Sequence, residues 1–393
     1  MRAKIKKAFF YGTWLMKFSL LTTFFLIVSI PLRFSKKYKD LWIIGERPDE
    51  ARDNGYWLYK WILENKPETN VRFVLAKKSA DYDKMPRKDL IIEPGSAKQY
   101  IYWILSKYSV STHMHGACPG KSFCIPFLPF ARRKKTVFLQ HGIIRNMIKL
   151  RGGLDIIIAS AKEEKNTIAK ANPNYKNKIH IAGLCRYDNL TDTSDSINRK
   201  IILLMPTFRK QLRDVGRLSN PDAEFKKTKY FKAWNSLLNN KRLNDILEEK
   251  DMQIVFFPHK EMQSLAHNLS PSSKRILVGR PGEFDTQTLI KEASVMITDY
   301  SSVFYDFVYM DKPVMFYQFD QEDFFTKQYA GNGQNYSFGD TFTNEDELVN
   351  GIIKILEKGC VLKKCYSRDA KSFYSFRDKK NCERNYSIIV RSK

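Results

Sequence analysis

The stretch Glu292 to Phe307, EASVMITDYSSVFYDF, decides how the rest of the chain is read. Val295, Met296 and Ile297 form the short apolar run of a strand buried in a parallel sheet, and Thr298-Asp299-Tyr300-Ser301-Ser302 stops it abruptly. Val303, Phe304, Phe307 and Val308 then recur at helical spacing. Asp299, Ser301 and Ser302 are residue types that cap a helix and satisfy its first amides. Asp311-Lys312-Pro313 closes that helix, and Pro313 to Phe319 predicts the next strand. The result is a strand, helix, strand unit with hydroxyls and unpaired N–H groups at a helix entrance, where the helix dipole attracts phosphate. Ligands of open parallel sheets sit at this end of the strands. Such a turn taken alone is more often a plain capped crossover, so its meaning depends on its surroundings.

Working outward, the same alternation recurs on both sides. Leu41 to Gly45 reads as a first strand, Asp53-Asn54 as the cap of a helix through Tyr56 to Leu63, and Val71 to Ala76 as the next strand. A helix near Ala97 to Lys107 follows, then strands at Tyr108 to Thr112, Thr136 to Leu139 and Asp155 to Ala159. Ser160-x-x-Glu163 has the form of a capping box. Thr191 to Asn198 (TDTSDSIN) is polar and without periodicity, so a domain boundary is expected there. Beyond it come strand Ile201 to Met205, helix Phe231 to Leu247, strand Gln253 to Phe257, strand Ile276 to Leu277, the opening unit and a helix Glu345 to Ile355. Alternation of this kind predicts an α/β fold with doubly wound parallel sheets. The expected divisions are 1–40, 41–195, 196–360 and a basic, aromatic tail, 361–393, packing back near the domain junction.

A chain of 393 residues is too long for one ordinary core, so two domains are expected on size alone. The charge is unusual: 67 Lys and Arg against 42 Asp and Glu give +25. A field that positive favours phosphorylated ligands, polyanions or an anionic membrane face. Nucleic acid is not the expected partner, because no zinc-finger spacing, RRM signature or isolated basic arm is present and the basic residues are spread along the chain. The six cysteines form no CxxC pair or short framework, as expected of reduced thiols in a cytosolic compartment. His113-x-His115-x-x-Cys118 has metal-ligand residue types, but no second cluster completes a tetrahedral set, and no metal is expected.

Ala8 to Leu32 is apolar apart from Lys17 and a few small polar residues, between Arg2, Lys4, Lys6 and Lys7 on one side and Arg33, Lys36, Lys37 and Lys39 on the other. It predicts a membrane contact. Basic flanks at both ends suit an interfacial helix on anionic lipid and equally a span of undecided orientation. Ser29-Ile30-Pro31 offers no clear small-residue cleavage site for a signal peptide.

Four short pieces stand at the ends of predicted strands. His141-Gly142 follows Val137 to Gln140, with Arg145 just beyond; an imidazole at a strand tip suits proton transfer near neutrality. Met205-Pro206-Thr207-Phe208-Arg209 brings a guanidinium to a strand exit, where its fork matches phosphate oxygens. Phe257-Pro258-His259-Lys260 does the same with an imidazole and an ammonium, and Thr298 to Ser302 is the fourth. Taken singly, each is also an ordinary loop or surface feature.

Together these pieces resemble the CDP-glycerol glycerophosphotransferase family, the teichoic acid primases and polymerases and their capsule relatives. ITDYSSVFYDF (Ile297 to Phe307) carries most of the resemblance, supported by LQHG (Leu139 to Gly142), PTFR (Pro206 to Arg209), GLCRYDNL (Gly183 to Leu190), PVMFYQFD (Pro313 to Asp320) and GERPDEARDNGYWLYK (Gly45 to Lys60). These pieces run in the family's order over roughly Leu41 to Leu356. The chain departs from the family pattern at Pro258-His259, whose order is inverted, at Cys185, where proline is usual, and at Ile143-Ile144-Arg145, which replaces a more polar continuation.

The resemblance implies a GT-B architecture, two Rossmann-like domains facing a cleft, in an enzyme associated with the cytoplasmic face of the cell membrane. It implies attack by an acceptor hydroxyl on the β-phosphorus of a CDP-activated polyol, with His141 as base. Arg209, His259, Thr298, Asp299, Ser301 and Ser302 would hold the donor phosphates. Gly142, Arg145, Arg186, Asp188 and Asp306 would bind the acceptor or support the site. Phosphoryl transfer needs mainly positioning and electrostatic stabilisation, so no cofactor is required by this inventory. The expected partners are CDP-glycerol or CDP-ribitol, a lipid-linked polyol-phosphate or glycan acceptor, and an anionic membrane surface. Two rivals remain at this point: a nucleotide-sugar transferase of the same fold, and a membrane protein that binds anionic polymer without turnover.

Overall fold

The computed structural model describes residues 2–114, 116–120, 134–145, 147–215, 218–280, 282–327 and 338–392, without the side chains of 2–11, 213 and 214. The chain forms two compact units, one from Met1–Asn189 with Ser375–Lys393 and the other Leu190–Tyr374. The polar run Thr191 to Asn198 therefore opens the second unit, and the last helix, Asn381–Arg391, belongs to the first.

In the first unit the described residues form a sheet of seven parallel strands: β1 (Trp42–Gly45), β2 (Val71–Val74), β3 (Ile91–Ile92), β4 (Tyr108–Ser111), β5 (Lys135–Phe138), β6 (Ile156–Ala159) and β7 (Ile179–Ile181). Their order is β3-β2-β1-β4-β5-β6-β7. In the second, β8 (Ile201–Leu204), β9 (Gln253–Phe256), β10 (Ile276–Val278), β11 (Ala293–Thr298), β12 (Val314–Tyr317) and β13 (Gly339–Phe342) pair in the order β10-β9-β8-β11-β12-β13. Helices cover both faces of such sheets, so the central strands read as apolar runs, WIIG, IIIA, IILL and VMI, and each is buried throughout. The edge strands β3, β7 and β13, which the sequence reading left out, are short or carry polar residues and give a weak pattern.

Each sheet winds one way and then the other from its centre. In the first the direction reverses between β1 and β4, and in the second between β8 and β11, the strand of the opening stretch. The gap outside the carboxyl ends of such a strand pair is where open α/β sheets take their ligands.

Two helical expectations are corrected. The predicted helix Phe231 to Leu247 is two, Lys229–Leu238 and Lys241–Glu249. Asn240 ends the continuity because its side chain caps the second, accepting from the Leu243 amide at 3.1 Å. The capping box at Ser160 does not form: Ala161 is the cap residue, and its methyl group cannot accept a hydrogen bond. Glu164 reaches back instead, accepting from the Ser160 amide at 2.6 Å and from the Ile144 amide at 2.7 Å. Burial pushes the Glu164 carboxyl up to about 7.

Helix α1 (Arg2–Leu32) belongs to the first unit and packs along α3 (Ala97–Leu105), with α2 (Asn54–Asn65) elsewhere on the sheet. Phe18 is buried in a cluster with Tyr100 and Trp103, and Thr22 and Ser29 are fully covered on the same side. The opposite side leaves Met16, Leu20, Phe24 and Ile27 each 58–65% exposed, an apolar stripe at helical spacing.

Candidate functional site

At the second unit's switch point the opening stretch and the β8 exit are locked together. Thr298 Oγ1 donates to the Met205 carbonyl at 2.6 Å, and Asp299 accepts from the amides of Thr207 at 2.7 Å and Tyr300 at 2.6 Å. Thr298 and Asp299 are both fully buried, which takes them out of solvent and makes them the frame of the turn. Arg209 is buried as well. Its Nε and Nη2 donate to the two carboxylate oxygens of Asp320 at 2.8 and 2.9 Å, while Nη1 donates to the Thr207 carbonyl and lies 2.9 Å from Asp299. The guanidinium is held among the rings of Tyr300 and Phe324, which stack on each other with centroids 3.7 Å apart. The fork expected to meet phosphate is thus spent on two internal carboxylates.

What this frame presents outward is smaller. Ser302 is exposed and Ser301 half-buried, with Ser301 Oγ accepting from the Val303 amide at 3.4 Å. The helix that follows is only Phe304–Tyr309, and its cap residue, Val303, makes no side-chain bond. The hydroxyls therefore line a turn ahead of one and a half turns of helix rather than capping a long one, because Asp299 is committed to the strand exits. Asp306 is buried within that short helix. Thr207 Oγ1, at the neighbouring exit, is buried without a hydrogen-bond partner among the described residues. His259 is exposed; its Nδ1 accepts from the Glu261 amide at 3.2 Å and its ring lies 5.7 Å from that of Phe208. A neutral imidazole that accepts at Nδ1 carries its proton on Nε2, the form that donates to an anion.

The first unit builds its own strand-end site around His141. Gln140 ends the β5 run in the left-handed region, φ 62°, a strained conformation for a residue with a side chain. Three contacts hold it there. Asn54 Nδ2 donates to the Gln140 carbonyl at 2.8 Å, Arg186 Nη1 donates to the His141 carbonyl at 2.7 Å, and Gln140 Nε2 donates to the Ile158 carbonyl. Arg186 also pairs with Asp53 at 3.0 Å, and its amide donates to Asn54 Oδ1. His141 is exposed at the apex of this clamp, and Gly142 is buried beneath it. Arg145 is half-buried two residues past Ile143, in the loop that Glu164 ties down through Ile144.

Asp188 does something else. Its carboxylate accepts from the amides of Asn381 and Cys382 at 2.8 and 2.7 Å, capping the helix Asn381–Arg391. Gly183, at φ +81°, lies so close to Asn381 that a Cβ would stand 2.0 Å from the amide oxygen. GLCRYDNL thus clamps the His141 carbonyl with one residue and the chain's last helix with two others.

Behind this clamp lies Glu46, just past β1, which accepts from the amides of Arg52, Asp53 and Tyr56 and whose carboxyl burial, with Asp53 nearby, pushes up to about 8. His113, just past β4, has its ring 5.1 Å from that of His141. Burial first, then His141 and Arg47, lowers the His113 imidazole to about 4. The sequence reading weighed His113 only as a metal ligand with His115 and Cys118; His115 lies outside the described residues, and Cys118 is buried. Asp53, Asn54, Gln140 and Asp320 were missed as site-builders. Their only signal was position: Gln140 and Asp320 stand just beyond strand ends, and Asp53 and Asn54 open the helix α2.

Two parallel-sheet α/β units, each with a polar cluster at its switch point, define a GT-B-like fold. The chain belongs to the CDP-glycerol:poly(glycerophosphate) glycerophosphotransferase family, whose model matches residues 26–391. It is similar to the minor teichoic acid biosynthesis protein GgaB of Bacillus subtilis (strain 168), 29% identical over 363 residues, which is 90% of this chain and 40% of that protein. It is also similar to the teichoic acid ribitol-phosphate polymerase TarK of Staphylococcus aureus, 25% identical over 171 residues, 41% of this chain and 30% of that one. The chain therefore spans at most two fifths of the length of these relatives.

Among solved structures, the wall teichoic acid polymerase TagF matches with a TM-score of 0.65 at 13% identity, covering 99% of this chain and 98% of that one. A variant of TagF soaked with CDPG matches at 0.67 and 15% identity, covering 96% and 97%. The UDP-GlcNAc 2-epimerase of Methanocaldococcus jannaschii, in complex with UDP-GlcNAc and UDP, matches at 0.52 and 12%, covering 89% and 99%. At these identities the likeness establishes a shared GT-B-like fold.

Proposed function

We propose that this chain transfers glycerol phosphate from CDP-glycerol to a hydroxyl of a membrane-linked teichoic acid or capsule acceptor. The acceptor oxygen forms a bond to the β-phosphorus, the bond from that phosphorus to the bridging oxygen breaks, and CMP leaves with the bridging oxygen. His141 takes the hydroxyl proton. The Ser301-Ser302 turn and His259 receive the donor phosphates. Arg209, Thr298 and Asp299 act beneath them by fixing the turn, and Arg186 fixes His141.

The observation that carries this reading is the family's signature stretch at the switch point of its sheet, with two hydroxyls facing outward from a buried frame. Phosphoryl transfer asks of a protein mostly placement and charge stabilisation, which such a frame supplies. The likeness to TarK, a ribitol-phosphate polymerase by name, keeps CDP-ribitol as a second donor reading.

The experiment is incubation of the full chain and a lipid-linked acceptor with labelled CDP-glycerol, CDP-ribitol and UDP-sugars. CMP from CDP-glycerol with label in the acceptor is the expected outcome, and CMP from CDP-ribitol alone would move the reading to that donor. Release of UDP, or binding with no release at all, would reject both.

We also propose that the protein works on the cytoplasmic face of the cell membrane, with α1 lying along an anionic surface. Supporting this, Phe18 and Phe25 of α1 pack on Tyr100 and Trp103 of α3, in the middle of the Gly12–Leu32 stretch that is long and apolar enough to cross a membrane. A spanning helix would have to bring α3 into the hydrocarbon with it, whereas an interfacial one needs only its apolar stripe there.

A further inference from the structure

The residue at the first sheet's switch point is His113, at the exit of β4, and not His141, which stands one strand further out at the exit of β5. Its surroundings are built rather than incidental. Thr112 Oγ1 lies 3.1 Å from His113 Nδ1, on the side away from Nε2, and fixes the ring. Nε2 is buried and has no hydrogen-bond partner among the described residues. Leaving such an atom unpaired is unfavourable, and binding sites accept that cost when a ligand supplies the missing partner. The groups facing the imidazole are mixed in sign: His141 from the β5 exit, and Arg47, Glu50 and Asp53 from the loop between β1 and α2.

We propose that His113 is a second acceptor-binding residue, its Nε2 hydrogen-bonding the polyol or phosphate oxygen of the acceptor beside the hydroxyl that His141 deprotonates. This rests on the reading of His141 as the base. Two imidazoles this close cannot both carry a proton cheaply, so a neutral His113 bonds substrate while His141 is the one that exchanges protons with it. The division explains why one histidine of the pair is exposed and the other is half-buried with one nitrogen engaged.

Two near-isosteric substitutions separate this from a packing role. His113→Gln places its amide nitrogen near the position of Nε2; His113→Asn reaches only that of Nδ1. The full chain is assayed with CDP-glycerol and a short synthetic glycerol-phosphate oligomer as acceptor, and CDP-glycerol affinity is measured separately by calorimetry. His113→Asn is expected to raise the acceptor KM about five- to ten-fold, the worth of one hydrogen bond, with kcat and donor affinity changed far less. His113→Gln is expected to recover most of that loss.

Equal acceptor KM in the two variants, whether both near the wild-type value or both impaired, would overturn the proposal, as would a loss confined to donor affinity. Normal turnover by His141→Ala would sink the base reading instead, and that result is distinguishable because it appears in kcat and not in the comparison of Gln with Asn.

Discussion

Arg209 and Asp320 form a bidentate ion pair inside the second unit, two parallel bonds of 2.8 and 2.9 Å between groups hidden from water. They come from strand exits 111 residues apart, so the pair joins the end of β8 to the end of β12 across β11. Asp299 closes the third side at 2.9 Å. Removing one partner of a buried pair strands the other charge. Arg209→Met is therefore expected to lower the unfolding free energy by about 3–5 kcal/mol in urea titrations. A loss below about 1 kcal/mol would mean that the three groups do not meet in the folded protein.

His141 sits exposed on a clamped, left-handed turn, so removing its side chain should leave the clamp intact. His141→Ala is expected to reduce kcat by about two to four orders of magnitude, with CDP-glycerol affinity by calorimetry little changed. Near-wild-type turnover would take the base role away from it.

Ser301 and Ser302 are the outward hydroxyls of the buried frame. Replacing both with leucine fills the turn without touching Arg209, Asp299 or Thr298, so the melting temperature should change little. Calorimetric binding of CDP-glycerol should disappear. Unchanged affinity would move the phosphate site away from this turn.

The stripe Leu20, Phe24 and Ile27 should carry membrane attachment. Changing all three to glutamate is expected to abolish cosedimentation with vesicles rich in anionic phospholipid, while the far side of α1 still packs on α3. Undiminished cosedimentation at low and moderate salt would place the contact elsewhere.

His113 has its imidazole lowered to about 4, chiefly by burial, so between that value and the unfolded value near 6.5 the unfolded chain binds the extra proton. Its contribution to stability is accordingly complete above about pH 6.5 and is lost as pH falls toward 4. His113→Gln, which does not titrate, is expected to flatten that part of the profile when unfolding is followed in urea at several pH values across it. A wild-type and a variant curve that stay parallel would show that His113 is not held neutral by the fold.

The alternation of apolar runs with helical periods determined by itself that this chain makes parallel sheets, because a strand covered on both faces must be apolar along its whole length and a helix must repeat near every fourth residue. The same local physics marked where strands end, and so put His141, His259 and Thr298 to Ser302 among the candidates. It failed where partners are distant in sequence. Nothing near Arg209 discloses that Asp320 will take its fork, nothing near Asp188 that it will cap a helix beginning at Asn381, and nothing near His113 that His141 will stand beside it. Those assignments were decided only by tertiary structure. A side chain's chemistry is set by what desolvates it and which charges it meets, and strand order alone brings those neighbours together.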